Sequence, residues 1–591
     1  MSHITQDLAA SVDGVWLLDA TIDGRVYRYT SAADDVSVTS EDGHTLVYLA
    51  GMAEVRATSA DASAAIQIMD PATDWAGLFA AGASSEGGSA VLRRWWGTLT
   101  LPQAVQWASG AIRGVQWGAR GEPLVFSIEM ADEVDTEPLL PLNARAHSPL
   151  HQGDGSGSPA LTFIVFPPLF GSPFNIVIGY PGEMQDSGDT VTPVVPCLLT
   201  DFFNGRSPDN EGSRCVVSVG RISATSVYVT ESDRYALGPF YPSATIATDT
   251  KPTHDGAVEY DFAVSYFAFG GTLDDGASST ATNLLPAAVD PSLTDAGDDK
   301  AAFLCGFKKS TGGGIVDATI NDTVAGVGDV IIWAMRQASG QLLIDWEGLY
   351  AVRERLNARY RWDGFINDPT VTALAWLRSE VLSYIPVMET ITARGWSVSI
   401  IDWAATEDDA IGSIVADVDA YRSSGCTHLN ADQIVNHVTV MYRPGAKASG
   451  GMSHDGYLSQ VTVTPDLYYK GNRSISGDID NASYPHRIAK HSAASFGVRK
   501  EEIKALNTWD DATALNLAID TIMARALPVV SVTYLAANDH LERASVGDVF
   551  TLSDSELGWD GRIAIVLEVA VGGGEPTAIT FGLPDPSLRN P

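Results

Sequence analysis

The chain has 591 residues, of which 45% are hydrophobic and 9% aromatic, a composition that supports several buried cores and argues against intrinsic disorder. Its 37 Lys and Arg against 73 Asp and Glu give a net charge of −36, which argues against binding a phosphate backbone through basic clusters. The acidity fits either a soluble, salt-adapted surface or an acidic lining that repels a polyanion moving past it.

The chain length predicts about four domains. The cysteines are far apart, with no C-x-x-C pair, so a zinc site or an iron–sulfur centre is not expected, and free thiols fit a reducing cytoplasm. The N-terminus lacks the features of a signal peptide, and no apolar window reaches about 20 residues, so we expect a soluble protein without an integral membrane segment. The cysteines are Cys197, Cys215, Cys305 and Cys426.

Residues 14–134 contain short strand-like segments at close spacing. Leu124, Phe126 and Ile128 alternate with polar or smaller residues, as in a half-buried strand. Many short strands separated by turn signals are typical of a small barrel or sandwich. We therefore predict an N-terminal β-barrel domain over residues 1–140.

A linker-like stretch rich in Gly, Ser and Pro, HSPLHQGDGSGSP, occupies residues 147–159. Strand-like segments then alternate with long polar loops up to about residue 300. This pattern predicts a β-rich insertion or peripheral domain over residues 141–320.

Helical patterns begin near residue 325. GVGDVIIWAMRQAS predicts one helix, and the spacing of Leu349, Val352 and Leu356 predicts a second. A third is expected after Asp368-Pro369-Thr370, and ETITARGWSVSIIDW is typical of a hairpin turning at Arg394-Gly395. We predict an α+β linking domain over residues 321–430. The apolar face of the third helix comprises Val371, Leu374, Leu377, Val381 and Ile385, and Pro386 ends it.

Residues 431–591 predict a second β-barrel domain with one amphipathic helix. The strand VNHVTVMYR opens it, and three strands and a hairpin follow the helix. Thr508 is the expected N-cap of that helix, with Leu515, Ile519 and Ile522 as its buried face. The fold class is thus mainly β (α+β), with two or three helices confined to the second half.

The same turn tripeptide occurs near both ends of the chain. Gly121-Glu122-Pro123 precedes LVFSIEM, and Gly574-Glu575-Pro576 precedes TAITFGL; each tripeptide also follows a strand-like segment. Apolar runs separated by Gly and Pro predict paired strands joined by a turn. The repetition predicts two related β-modules in one chain.

No catalytic, cofactor-binding or metal-ligating set stands out, and no cofactor is expected. Each candidate has a structural interpretation that weighs more: a linker, a loop, a solvated acidic face or a core aromatic residue. The candidates are the Gly-rich segments 153–157 and 311–314, the cation candidates Asp478, Asp480 and Asn481, the pairs His147/His151 and Cys426/His428, the carboxylates Asp408/Asp409, the tryptophans Trp95/Trp96, and the scattered His437, His486 and His491.

Four segments between Trp346 and Leu583 carry a family resemblance through their order. They are RYRWDGFINDPTVTALAWLRSEVLSYIPV (359–387), YPHRIAKHSAASFGVRKEEI (484–503), the helix start at 509–513 with 526–528 at its end, and the run 546–549 followed by 557–560. With them, and with the WWGTL…GEPLVFSIE block, the chain resembles the baseplate hub, or tail-tip hub, of tailed bacteriophages and gene transfer agents. Residues 145–320 match no part of that family.

The resemblance implies a structural virion protein with two small β-barrel hub domains, an intervening α/β region and a β-rich insertion. It implies a homotrimeric ring at the virion tail tip, assembled in the host cytoplasm, that adapts the sixfold tail tube to a threefold tip. The implied partners are the distal tail protein ring, the tape measure protein, a central fibre or tip protein, and DNA passing through the lumen during ejection. Some family members carry an iron–sulfur centre on clustered cysteines, which this chain lacks.

Two alternatives remain open from the sequence. In the first, the chain is a receptor- or glycan-binding tail protein that uses Trp95, Trp96 and the middle region. In the second, it is a tail-associated cell-wall hydrolase, which the missing catalytic set disfavours.

Overall fold

The predicted mainly β fold with barrel-like domains is confirmed by the computed structural model. The structure describes residues 15–22, 24–58, 63–69, 88–95, 100–116, 124–129, 138–140, 175–182, 191, 194–199, 213–232, 237–249, 264–269, 302–320, 322–338, 344–366, 368, 370–392, 395–428, 431–444, 457–465, 468–470, 473–474, 484–537, 541, 544–571 and 577–584.

Nine strands near the N-terminus form one curled sheet in the order β5-β6-β9-β8-β7-β1-β2-β4-β3. Alternating side chains of β1 face two cores: Leu18 and Ile22 lie in one, and Leu17 packs with Tyr48 and Trp95 in the other. Successive side chains of a strand point to opposite faces, so β1 contributes to both cores. The strands are β1 (Val15–Ile22), β2 (Arg25–Thr30), β3 (Val36–Thr39), β4 (Thr45–Ala50), β5 (Met52–Thr58), β6 (Ser63–Ile68), β7 (Ser89–Trp95), β8 (Val105–Gln116) and β9 (Leu124–Glu129).

The middle region contains a closed six-stranded barrel in the order β11-β12-β15-β14-β13-β16. Closure of a sheet into a barrel removes the unpaired edges that an open sheet would present. Strand β10 stands outside this barrel. The strands are β10 (Ile176–Ile178), β11 (Val195–Leu199), β12 (Ser213–Val219), β13 (Ser226–Ser232), β14 (Leu237–Asp249), β15 (Val264–Phe269) and β16 (Ala302–Gly306).

The helical part begins where the sequence predicts it. Helices α1 and α2 pack around a core that includes Trp333, Trp362 and Trp376, whose rings meet edge to face at centroid distances of 6.2 and 5.0 Å. The predicted hairpin of β20 and β21 is present. The elements are β17 (Val316–Asp317), β18 (Asp322–Thr323), α1 (Val327–Gln337), α2 (Trp346–Arg359), β19 (Gly364–Ile366), α3 (Ala373–Glu380), β20 (Val387–Thr392) and β21 (Gly395–Ile400).

The remaining elements form a five-stranded sheet, order β28-β27-β26-β25-β29, and a C-terminal β-module. Helix α5 packs on β25 and β26. The elements are β22 (Gly412–Val415), β23 (Ala420–Arg422), β24 (Thr427–His428), β25 (His437–Pro444), β26 (Tyr457–Val463), β27 (Tyr468–Lys470), β28 (Arg473–Ser474), α4 (Tyr484–Phe496), β29 (Lys500–Lys504), α5 (Asp511–Arg525), β30 (Val530–Ala536), β31 (Val549–Asp554), β32 (Trp559–Val571) and β33 (Ala578–Leu583).

Two helix predictions were wrong in detail. Helix α3 covers only part of the predicted face, because Thr372 forms a β-bridge with Pro138 before it and Val381 leaves helical geometry after it (φ −121, ψ −60). A separate 3₁₀ turn, Leu382–Tyr384, follows. The described residues also contain five α-helices, more than the two or three that the sequence predicted.

The last helix, α5, begins later than predicted. Its N-cap is Asp510, whose side chain accepts a hydrogen bond from the Thr513 amide at 2.9 Å, whereas Thr508 is buried and lies outside the helix. The most buried face consists of Thr513, Ala514, Leu517, Ala518 and Ile522, so the predicted Leu515 and Ile519 are only half-buried.

Within the described residues, no helix combines the length and the apolar character needed to cross a membrane.

Candidate assembly site

The N-terminal and C-terminal β-modules share one continuous 16-stranded sheet. They are joined by antiparallel pairing of β32 with β5, in which Ala570 lies opposite Thr58 and Val571 opposite Ala57. Strand β32 can make this connection because it is 13 residues long. Its first residues pair with β31 and its last residues with β5. Backbone hydrogen bonds therefore connect two modules that are far apart in sequence.

Both predicted hairpins are present as antiparallel strand pairs, β8–β9 and β32–β33. Their Gly-Glu-Pro turns lie outside the described residues. The two pairs have the same register: counted from the turn, three residue pairs are followed by a shift and then by two more pairs. The shift falls between Ile112 and Gly114 in the first hairpin, and between Val566 and Glu568 in the second.

This shared irregularity is informative because a β-bulge inserts one residue and bends the strand at a defined place. In the first hairpin the bulge lies opposite Ser127 and Ile128, four and five residues after Pro123. In the second it lies opposite Thr580 and Phe581, four and five residues after Pro576. The hairpins therefore agree in geometry as well as in turn sequence.

The neighbouring strands agree as well. The N-terminal module has the order β7-β8-β9-β6-β5, and the C-terminal module has β31-β32-β33-β30-β23. In both, the second hairpin strand pairs with a strand that comes earlier in the chain, β6 or β30. The modules differ one strand further out, where β1 is antiparallel to β7 but β22 is parallel to β31. Five strands of each module thus have equivalent positions.

Strand β23 ends the strand order of the 16-stranded sheet, and four apolar side chains of β22, β23 and their neighbouring residues are exposed. Val418 is 67% exposed and Tyr421 52% exposed, while Ile411 and Val415 are 48% and 44% exposed. Large apolar side chains grouped at one sheet edge mark a surface that favours pairing with another chain. We call these four side chains, with strands β23 and β24, the C-terminal edge.

A buried polar network holds the C-terminal edge in place. The Tyr534 hydroxyl donates to Asp554 at 2.6 Å, and Arg422 of β23 reaches the same carboxylate at 3.3 Å. Burial, together with the Asp554 carboxylate, raises the pKa of Tyr534 well above its ordinary value. Arg422 also pairs with Glu556 at 2.6 Å. Strand β23 is therefore attached to the module by charged contacts in addition to its ladder with β30.

The Asp548 carboxyl lies at the entrance to β31 and is sensitive to pH. Burial raises its pKa to about 6, opposed by the hydrogen bond that the Ser545 amide donates to it. A raised carboxyl pKa in the folded state means that the protonated form is favoured by folding. The contribution of this carboxyl to the stability of the fold is fully present below its ordinary pKa and is lost as the pH rises through about 6.

Replacing Asp548 with asparagine is therefore expected to increase the free energy of unfolding at pH 7.5, by at most about 3 kcal/mol for roughly two pKa units, and to change it little at pH 4.5. Asparagine keeps an acceptor for the Ser545 amide and has no charge to bury. Urea unfolding at the two pH values measures the difference. Asp560→Asn, at an exposed position of the same module, is the control. Equal effects of Asp548→Asn at both pH values would contradict the assignment.

Trp95 and Asp409, two of the chemical candidates suggested by the sequence, have a structural role. Trp95 is 7% exposed and belongs to a core, which weakens it as a glycan platform. Asp409 accepts hydrogen bonds from Thr406 and caps a 3₁₀ turn, which lowers its pKa. Cys426 is a half-buried free thiol and His428 an exposed side chain. Burial and the nearby Lys500 lower the pKa of His437.

The Gly-rich segment 311–314 is a close contact between backbones. A Cβ atom on Gly314 would lie 2.4 Å from the Val177 carbonyl oxygen, and one on Gly312 would lie 2.4 Å from the Ser223 carbonyl oxygen. The segment packs on β10, and Gly314 donates to the Gly179 carbonyl at 2.6 Å. It therefore serves packing against β10.

The other candidates lie where the structure gives no description: Trp96, His147, His151, residues 153–157, Asp478, Asp480 and Asn481. The side chains of Cys197, Cys215 and His486 are likewise outside the described set. Cys305 is buried. The exposed His491 lies on α4. In the described part of the chain, no group of three or more His, Cys, Asp or Glu side chains is arranged to hold a metal ion.

The strands of the C-terminal edge were not predicted from the sequence. The segment IGSIVADVDAYR contains the signal, since apolar residues alternate with small or acidic ones. The intervening Asp417 adopts a positive φ of 65° in the tight loop that separates β22 from β23. The junction of β5 with β32 left no signal in either strand alone, because sheet pairing between distant segments depends on tertiary arrangement.

No protein-family model and no curated protein sequence matches the chain. Among solved structures, a tail protein from Neisseria meningitidis MC58 aligns with 9% identity and a TM-score of 0.30, covering 97% of each chain. The prophage MuSo2 43 kDa tail protein from Shewanella oneidensis aligns with 8% identity and a TM-score of 0.29, over 96% of this chain and 98% of that one. A chain of a native gene transfer agent virion aligns with 11% identity and a TM-score of 0.17, over 47% of this chain and 87% of that one. At these TM-scores the alignments carry no argument about function.

Proposed function

We propose that this chain is a structural, non-enzymatic hub protein of the tail tip of a tailed bacteriophage or gene transfer agent. The observation that carries the proposal is the pair of equivalent β-modules in one chain, joined edge to edge in a single sheet. The equivalent hairpin registers support it independently of the turn sequences.

Two equivalent modules provide a way to change symmetry. Three copies of a chain that carries two such modules would present six modules around a ring. A ring of this kind would have threefold symmetry at one end and a pseudo-sixfold surface at the other, so it would fit a sixfold tail tube. Head-to-tail contacts that complete a rotation generate closed rings of this type.

A hub at the tail tip would have partners on both sides of the ring and in its lumen. The ring would bind a distal tail protein ring on one side and a central fibre or tip protein on the other. Its lumen would hold the end of the tape measure protein and later pass DNA. The net charge of −36 supports a lumen from which DNA is repelled, since like charge prevents a polyanion from adhering.

In the proposed organisation, residues 1–140 and 431–591 contain the hub barrels, residues 141–320 form a peripheral domain, and residues 321–430 link them. The end of the linking residues, strands β22–β24, completes the second hub barrel by pairing with β31 and β30. Ring formation depends on the hub barrels in this proposal. The closed barrel of β11–β16 belongs to the peripheral domain and has a separate role.

The proposal predicts that the purified full-length chain forms trimers that bind the distal tail protein ring. Mass photometry across a concentration series measures the first property, and co-sedimentation with the ring protein measures the second. A chain that stays monomeric at all concentrations and does not bind the ring would contradict the proposal. Binding on a glycan array without ring formation would favour a receptor-binding protein instead.

A further inference from the structure

We infer that the contact joining β32 to β5 within one chain is repeated between chains. In the repeated contact, the last residues of β8 pair with the C-terminal edge of the next copy. The inference rests on the proposed trimer and identifies the surfaces that form it. It follows from the equivalence of the two modules, since equivalent strands should have equivalent neighbours.

The first surface is the end of β8 next to its turn. Gln116 lies opposite Val125, just as Ala570 lies opposite Ala578, so Gln116 corresponds to Ala570. Ala570 pairs with β33 on one side and with β5 on the other.

Strand β7 pairs with β8 only as far as Ala111, and the Ile112 amide donates to Gly88. Among the described residues, the backbone from Gly114 to Gln116 therefore pairs with β9 alone. On β32, the side of the backbone that faces away from β33 pairs with β5. Among the described strands, none pairs with the equivalent side of β8 at these residues.

The second surface is the stretch between β23 and β24. In the N-terminal module, Ala57 lies opposite Ala64, which lies opposite Ile128. The corresponding residue to Ile128 is Phe581, and Val532 lies opposite it.

Val532 pairs with β33 on one side. On its other side lies the segment between β23 and β24, two strands that both pair with β30. Arg422 is opposite Tyr534 and Thr427 is opposite Ser531, so Thr427 occupies the position of Thr58, and Cys426 before it that of Ala57. Ser424 is tied to β30, since its hydroxyl accepts from the Thr533 amide at 2.9 Å. A Cβ atom on Gly425 would meet nothing within 4 Å, so a side chain at this position fits without a clash.

The exposed apolar side chains support a second copy as the occupant of this edge. Val418 and Tyr421 are more than half exposed in the single chain and belong to the same edge, in the loop before β23 and on β23 itself. Each copy offers one β8 end and one C-terminal edge, and these two surfaces differ from each other. Pairing between unlike surfaces is head-to-tail, and three such contacts close a ring when each rotates the next copy by a third of a turn.

Engineered cysteines test the pairing. In a Cys426→Ser background, Gln116→Cys is combined with either Gly425→Cys or Thr427→Cys, and the assembled full-length protein is oxidised. We expect a non-reducing gel to show covalent species up to three chains, at least tenfold more abundant than with either cysteine alone. The matched control pairs Thr58→Cys with Ala570→Cys, which face each other within one chain and should give only an internal disulfide.

The oligomeric mass of each variant is measured before oxidation, so that a wrong strand contact can be distinguished from the absence of a trimer. Trimers that form no covalent link through Gln116, while the control pair links internally, would overturn the inference and leave the proposed function intact. A protein that is monomeric before oxidation would overturn the proposed function itself. Covalent trimers at either cysteine pair support both.

Discussion

Replacing Asp363 with alanine is expected to lower the free energy of unfolding by about 3–5 kcal/mol, the usual effect of removing one partner of a buried ion pair. Asp363 is fully buried, and its Oδ1 atom lies 3.1 Å from the Arg361 guanidinium. The same oxygen accepts a hydrogen bond from the Tyr180 amide at 3.0 Å. The substitution would leave a mostly buried guanidinium without this carboxylate and an amide without its acceptor.

The position of Asp363 explains why the effect should be large. It precedes β19, which pairs with β10, so it connects the middle region to the helical part. A Cβ atom on Gly179 would lie 2.2 Å from the Asp363 carboxylate, and Gly179 has a φ of +66°. The backbone of this connection therefore packs directly against the ion pair, and a cavity there cannot be filled by a small side-chain movement.

Urea unfolding of the full-length protein measures this effect. The control is Asp402→Ala, because Asp402 pairs with Arg355 at 3.2 Å on the surface, with side chains 42% and 59% exposed. An exposed pair contributes at most about 1 kcal/mol. Asp363→Asn should lie between wild type and Asp363→Ala, since it keeps the acceptor for Tyr180. Similar losses for Asp363→Ala and Asp402→Ala would contradict the role of the buried pair.

Local patterns in the sequence were sufficient where neighbouring residues determine the structure. The hairpins of β8–β9 and β20–β21, and helices α1 and α2, follow from periodicity and turn residues. The aromatic-Asp-Gly motif at Trp362 was recognised as a family segment, but its physical role was not. That role depends on Tyr180 and Gly179, which are more than 180 residues away in sequence, and no local pattern connects them.

The strand pairing of the assembly site could likewise not be predicted from local sequence, because it joins segments that are far apart in the chain. The turn tripeptides predicted two like modules, but the equivalent bulges and the β5–β32 pairing required the sheet registers. The N-cap of α5 illustrates a smaller limit. Thr508, Asp510 and Asp511 all have suitable side chains, and packing of the buried Thr508 decided in favour of Asp510. Capping residues that compete within a few positions cannot be ranked by type alone.

Replacing Val418 with aspartate is expected to weaken trimer formation by about 100-fold. Burial of a valine side chain contributes about 1.5–3 kcal/mol, and each 1.4 kcal/mol changes a dissociation constant about tenfold. Burying a carboxylate beside the existing Asp417 and Asp419 adds a further cost, because like charges repel in a contact from which water is excluded. Stability of the single chain should change little, since Val418 is 67% exposed there.

Val47→Asp is the matched control, because Val47 is 50% exposed on β4, near the opposite end of the sheet. Both substitutions add one negative charge to a strongly acidic chain, so general repulsion between copies changes equally in the two variants. Mass photometry on dilution gives the dissociation constants. A selective effect of Val418→Asp identifies the C-terminal edge as a contact between copies, because only a local contact distinguishes the two positions. Equal weakening by both variants would trace the effect to net charge, and unchanged trimers in both would place the contact between copies elsewhere on the molecule.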